Sequence, residues 1–376
     1  MSQGEITVAV ACAPDYDPGG VRRAVRTALS ALPGWAEALR PGRRILLKPN
    51  VVNPQAPERA VCTHPQVLRA VAEVCHEAGC AVLVCDQPTY ALRTSAETVF
   101  GACGYREALR GLRVEWRLAA EAGYREFPVP RPYQAPVAYL SRFLDEVDAV
   151  VNLPKLKTHI QTRLTAAVKN TFGLVAPRQR MDLHALGNGR LLSEALVDMF
   201  GAHPPQWSLL DAVVAMEGPG PTRGRPRAMG VILASADAVA LDAVAAHAAG
   251  LRPREVRTTL AAAEAGYGVA DLAALRLVGE ALPLLRPSLR RAPSLAARLP
   301  RALAGLGRRL LYLRPAVDRR ACVACGQCAA VCPAGCIRIE EVAVLDRRRC
   351  LECFCCMEAC PQDAIEVQRS PLARLL

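Results

Sequence analysis

The chain has 376 residues, 52% of them hydrophobic, with 47 Lys plus Arg against 35 Asp plus Glu and a formal net charge of +12. That length predicts two or three domains, and the apolar fraction is enough for one sizeable core. The charge argues against a nucleic-acid binder: aromatics are only 5%, and residues 281–317 carry eight arginines and no acid while 318–376 carry eight charges of each sign, so the excess sits in one segment.

Along residues 1–280, short β-branched or apolar runs alternate with longer helical patterns. This predicts an α/β domain with a largely parallel, Rossmann-like sheet and flanking helices. The predicted strands are 6–11 (ITVAVA), 44–48 (RILLK), 80–85 (CAVLVC), 113–116 (RVEW), 148–152 (DAVVN), 208–215 (SLLDAVVA) and 230–234 (GVILA). Helices with apolar residues at 3.6 spacing are predicted after Gly20, at 65–78, and after Thr94, Arg163, Leu191 and Asp237. The apolar stretch Ala228–Gly250 is interrupted by Asp237, Asp242 and His247, which argues against a membrane span. Residues 281–317 mix leucine and arginine with prolines at 283, 287, 293 and 300, permitting only short helical pieces. They read as a linker whose leucines pack on the main domain while the arginines stay wet, in preference to a basic helix lying on a membrane. The N-terminus lacks a basic segment followed by a long apolar run, so a cytoplasmic location is expected.

Residues 318–376 hold two copies of one ligand pattern. Cys322, Cys325, Cys328 and Cys332, followed by Pro333, recur 28 positions later as Cys350, Cys353, Cys356 and Cys360, followed by Pro361. The x2 spacings turn three sulfurs of a loop toward one cube, and the fourth cysteine of each run reaches the other cube. Two [4Fe-4S] clusters are therefore expected, one on Cys322, Cys325, Cys328 and Cys360, the other on Cys350, Cys353, Cys356 and Cys332. Zinc ribbons use cysteine pairs with longer spacers and fit less well. Cys336 and Cys355 fall outside both sets, and Cys336 occupies the place of Ala364 in the second half, as a small buried residue. The pattern resembles bacterial two-cluster ferredoxins, which implies a small α+β ferredoxin-like domain passing single low-potential electrons.

The chain has 43 arginines but only four lysines, Lys48, Lys155, Lys157 and Lys169, with Asn50, Asn53, Asn152 and Asn170 beside them. An ammonium on a flexible stem can approach one oxygen closely or transfer a proton, which a guanidinium does poorly, so these lysines mark candidate chemistry. Most of these motifs follow predicted strands, as do Asp86, Glu217 with Gly218 and Gly220, and Ser235 to Asp237. Parallel strands would bring such ends to one edge, where open α/β sheets bind ligands. Lysines and asparagines there suit a small anionic substrate. The candidate acids and bases are His64, His159 and Glu217. Asp237 also reads as a helix N-cap, and Asp242 as an inward carboxyl among alanines. Cys62, with no paired base in view, reads as a small buried residue. No Walker loop appears, and no G-x-G-x-x-G follows the first strand.

KPNVV with THP downstream, VVNLPKLKTH, LTAAVKNTFG, MEGPGPTRG and SADAVALD together resemble the domain-of-unknown-function 362 family over residues 40–245. By position the resemblance singles out Lys48, Asn50, Thr63, His64, Asn152, Pro154, Lys155, Lys157, His159, Lys169, Asn170, Gly173, Glu217, Gly218, Gly220, Asp237 and Asp242. It implies association with iron-sulfur redox chemistry and supplies no reaction. The leading expectation is an oxidoreductase relaying electrons from the clusters to a small anionic substrate or an unidentified organic cofactor in a lysine-lined crevice. The second is an electron-transfer or assembly protein that docks a redox partner without a catalytic site of its own.

Overall fold

The computed structural model describes residues 6–88, 94–187, 189–282, 285, 289–293 and 312–371. The α/β part contains β1 (Ile6–Cys12), β2 (Arg44–Pro49), β3 (Ala81–Asp86), β4 (Val114–Leu118), β5 (Tyr124–Pro128), β6 (Val137–Ser141), β7 (Ala149–Leu153), β8 (Lys155–His159), β9 (Arg163–Thr165), β10 (Trp207–Glu217), β11 (Arg225–Ser235) and β12 (Leu275–Val278). Ten of them form one sheet in the order β12-β1-β11-β10-β7-β2-β3-β4, with β8 joined to β10 and carrying β9. All pairs along that order are parallel except the two made by β11. The fold is α/β, and each of the seven expected strands is present.

The sheet is buried on both faces because its strands are near-continuous apolar runs, and the two-residue period sends neighbours to opposite sides. Ile45, Leu47, Val82 and Val84 enter one core, while Leu46, Leu83 and Cys85 enter another. The helices Pro18–Ser30 and Pro65–Glu77 supply the first core with Val21, Val25, Leu68 and Val71. The second of these helices starts where proline at its first position needs no N–H, and His64 Nδ1 accepts from Gln66 N.

Three expectations change. The segment after Arg163 forms β9 and a one-turn helix, Ala167–Asn170, where a longer helix was predicted. β8 follows β7 across Pro154 with no loop, so Lys155 to His159 are strand residues pairing with β10. Because β11 runs antiparallel to β10, its C-terminal end and Asp237 lie at the sheet edge opposite the ends of β2, β3 and β7. The expected edge shared by all five motifs therefore loses Asp237.

The cysteine-rich part has two antiparallel pairs, β13 (Leu313–Val317) with β16 (Ile365–Arg369) and β14 (Ile337–Ile339) with β15 (Ala343–Leu345). β13 lies within the stretch read as linker, so the small domain extends back to its pairing with β16. In the described part of that linker, Leu285 and Leu289 join a core of the α/β domain, while Arg290 and Arg291 are exposed. Its remainder, including 294–311 and the expected helical pieces there, lies outside the described residues. No described helix is long and apolar enough to cross a membrane.

Candidate functional site

Three of the four lysines meet at one cavity of about 780 Å³, mouth included, where the sheet's carboxyl edge faces the cysteine-rich domain. Lys48 comes from the end of β2, Lys157 from β8 and Lys169 from the one-turn helix; Asn50, Asp86 and Arg180 complete the polar wall. Val51, Phe172, Met181 and Pro221 give the apolar part, and Val331, Cys355 and Glu358 close it from the cysteine-rich side.

Each amine has a different environment. Lys48 Nζ donates to Asp86 Oδ1 at 2.7 Å and to Pro49 O at 2.9 Å, fully buried. Burial draws its pKa down although Asp86 opposes this. Gly173 packs against this pair: a Cβ there would meet Asp86 Oδ1 and would stand 2.7 Å from Lys48 Nζ. Lys157 Nζ donates to Asn50 Oδ1 at 2.6 Å and to Val61 O at 2.8 Å, both uncharged acceptors. With no carboxylate bonded to it, desolvation carries its pKa down to about 7. Lys169 makes no hydrogen bond or ion pair among the described residues and presents its charge to the cavity. Arg180 is buried and donates to Gln87 O at 2.8 Å. Asp86 and Glu358 offset only part of this charge, so the cavity keeps a positive surplus.

An asparagine network fixes the floor. Asn170 Oδ1 accepts from Asn50 at 2.8 Å, and Asn170 Nδ2 donates to Asn152 Oδ1 at 2.7 Å. Thr63 Oγ1 accepts from Asn50 N and donates to Leu153 O, locking the loop after β2 onto β7. Asn152 and Thr63 thus support the cavity without lining it.

His159 joins the two domains. Its Nε2 lies 3.2 Å from Glu358 Oε1, and its Nδ1 accepts from Gln161 N and Thr162 N. Two donors at Nδ1 require the proton on Nε2, so a neutral ring donates to Glu358; burial takes the imidazole pKa down to about 4. Burial opposes ionisation of Glu358, but Lys169 and the His159 hydrogen bond outweigh it and hold the carboxyl well below its ordinary range. His184, whose imidazole burial also lowers to about 4, lines the same cavity against Phe172.

In the cysteine-rich domain one of the two expected cysteine sets is gathered around a common space. Cys322, Cys325, Cys328 and Cys360 line one small apolar pocket, the grouping predicted from their spacing. Left-handed backbone recurs at positions 28 apart: Ala324 and Glu352, Gly326 and Phe354, Gly335 and Asp363. Such conformations turn the chain sharply enough for three sulfurs of one loop to converge. Backbone N–H groups reach sulfur in both halves, from Ala364 to Cys360 and from Cys336 to Cys332, as thiolate ligands accept them. Among the described residues no three His, Cys, Asp or Glu side chains converge on a single ion. A cube spreads its four thiolates over four irons.

Other predicted residues lie elsewhere. Lys155 Nζ binds Asp211 at 2.8 Å and Tyr16 OH at 2.6 Å, in a largely buried network with His64, whose ring stacks on Tyr16 and whose backbone N–H donates to Asp211. Glu217 accepts from Arg290 N on a separate surface groove. Gly218 lines that groove as well, and Gly218 O accepts from Thr158 while Gly220 O accepts from Ile160 N, so this turn holds the end of β8. Asp237 caps the helix Ala238–Ala248, and Asp242 accepts from Ala167 N and Val168 N, holding the one-turn helix of Lys169. Arg180, Glu358, Tyr16 and Asp211 were absent from the sequence-derived set. For Glu358 a signal existed: its mate 28 residues earlier is Ala330, so the repeat is broken by an acid between two cysteines.

Residues 45–247, more than half of the chain, match the family described as domain of unknown function (DUF362). The chain belongs to this family. Residues 315–338 of this DUF362 protein match a 4Fe-4S binding domain, which makes it an iron-sulfur protein of electron-transfer type. A thylakoid-associated protein of Synechocystis sp. is 35% identical over 248 residues, 65% of this chain and 75% of that protein. Among solved structures, the lactate racemase apoprotein from Thermoanaerobacterium thermosaccharolyticum aligns at TM-score 0.40 and 11% identity, over 64% of this chain and 56% of its own. A Thermotoga maritima protein aligns at TM-score 0.35 and 14% identity, over 66% of this chain and 58% of its own. The DUF362 chain thus spans little more than half the length of these two structures.

Proposed function

We propose that this protein is an oxidoreductase in which two [4Fe-4S] clusters serve a small anionic substrate, or an organic cofactor, held in the lysine-lined cavity. The observation that carries the reading is the shared wall: Val331, Cys355 and Glu358 stand beside the proposed ligands Cys332, Cys356 and Cys360 and line the same cavity as Lys48, Lys157 and Lys169. When bound, the clusters supply single low-potential electrons. Lys169 and Arg180 attract the anion, the asparagine network orients it, and Lys157, titrating near neutral pH, can give or take a proton at its Nζ. Lys155 and His64, set in the Asp211 network, position β8 instead of touching substrate.

A second reading, electron transfer to a docked partner without a catalytic site, draws on Cys325 being exposed and Val323 being 61% exposed beside it. We place the protein in the cytoplasm; the thylakoid association named for the Synechocystis relative is compatible with peripheral contact through the arginines of 281–317. The test is electron paramagnetic resonance of anaerobic, reduced protein titrated with phosphate, acetate and oxalate. Oxidoreductase function predicts that at least one anion perturbs the spectrum and that Lys169→Ala abolishes the effect with iron and sulfide content unchanged. Indifference of the wild-type spectrum to all three, together with the absence of any small molecule co-purifying with the protein, would favour the docking reading.

A further inference from the structure

Cys62 and Cys103 belong to neither ligand set, yet their sulfurs lie 3.7 Å apart, both buried. Cys62 lies on the loop between β2 and the helix Pro65–Glu77, and Cys103 closes the helix Ala96–Ala102, so the fold brings together thiols 41 residues apart. No other pair of cysteines in the α/β domain is in sulfur contact among the described residues. Their surroundings link them to both working parts of the molecule. Cys62 Sγ donates to Asn53 O at 3.3 Å, and Asn53 Nδ2 donates to Cys360 O at 2.9 Å, so one buried residue touches the thiol and a proposed cluster ligand. Val61, next to Cys62, gives Lys157 one of its two acceptors; Thr63, on the other side, receives Asn50 N, and Tyr105 OH donates to Thr63 O.

We propose that Cys62 and Cys103 form a redox-active dithiol, coupled to the cluster side through Asn53 and mechanically to the cavity through Val61 and Thr63. On oxidation the two S–H bonds break, one S–S bond forms, and two electrons and two protons pass to a two-electron oxidant such as hydrogen peroxide, which leaves as two molecules of water. Reopening takes two electrons, delivered singly by way of Cys360 from a low-potential one-electron donor, and two protons from water. Drawing the sulfurs from contact to bonding distance pulls on the loop that holds Lys157 and Asn50. Oxidant therefore disturbs the anion site, and a supply of electrons restores it. The inference uses the clusters but stands whether or not the cavity is a reaction centre.

The test uses anaerobic full-length protein with iron and sulfide counted. Diamide, which oxidises thiols and is itself reduced to a hydrazine, is added, and the denatured, alkylated protein is digested and analysed by mass spectrometry. A peptide pair joined through Cys62 and Cys103 is expected, with the loss of two alkylatable thiols, and Cys103→Ser abolishes both while keeping its iron. Photoreduced deazaflavin should then reopen the bond, and Asn53→Ala should slow that reopening several-fold at unchanged iron content. Failure to form the linked peptide, or linkage of Cys62 to a different cysteine, overturns the dithiol. Equal reopening in Asn53→Ala overturns the coupling through Asn53.

Discussion

Removing either partner of the buried Lys48–Asp86 pair should have unequal effects. Asp86 Oδ1 accepts from Lys48 Nζ at 2.7 Å and Gln87 N at 2.8 Å, and Oδ2 accepts from Val51 N at 2.7 Å. Asp86→Ala strands a buried ammonium, at about 3–5 kcal/mol. It also leaves two buried N–H groups without an acceptor, at about 1–3 kcal/mol each. A domain's whole stability is about 5–15 kcal/mol, so this variant should accumulate poorly or unfold at markedly lower urea. Lys48→Met removes the charge but leaves Asp86 with both backbone donors, so its loss should stay near the lower figure for a broken pair. Urea unfolding of both variants and the wild type, followed anaerobically by circular dichroism, gives the order. A Lys48→Met protein as unstable as Asp86→Ala would refute the assignment of Asp86 as the backbone anchor of this cavity.

Lys157 should give a pH signature. Its pKa is about 7 when folded and about 10.4 when unfolded. Between these values the unfolded chain binds more protons, so stability rises with pH by up to about 1.4 kcal/mol per unit, and the dependence ends below pH 7. Lys157→Met should remove this slope; wild-type and variant urea midpoints that run parallel from pH 7 to 10 would contradict it. Gly173→Ala should drive a methyl group into the Lys48–Asp86 pair and destabilise the protein by more than about 1 kcal/mol, measured as a lower unfolding midpoint; an unchanged midpoint would show that the pair yields freely. Iron chelation should unfold the cysteine-rich domain, because its cluster binding is its folding energy, and protease cutting should then appear between residues 312 and 371. An unchanged digestion pattern would mean that this domain holds itself together without metal.

The strands were legible because buried parallel strands are short apolar runs, and RILLK, CAVLVC and DAVVN became β2, β3 and β7 within a residue at each end. The reversed direction of β11 was not legible, since its sequence is apolar and β-branched in either direction; only its pairing with β1 and β10 reveals it. The same ambiguity hid β8, where Lys155, Lys157 and His159 look like loop polarity but are buried by partners distant in sequence. Three of the four lysines that the lysine bias marked line one cavity. The bias could not separate Lys155, because that requires knowing that Tyr16 and Asp211 surround it. Arg180 was lost among 43 arginines, where scarcity gives no signal.

The cavity's far side belongs to the cysteine-rich tail, which is fastened by His159 to Glu358, Asn53 to Cys360, Arg59 to Asp363 and Arg223 to Glu366, with Ile160 packed into its core. A carrier moored at so many points is built in place and has no need to swing between stations. Cutting the chain ahead of the tail would leave a roofless basin with a buried histidine and an isoleucine newly facing water.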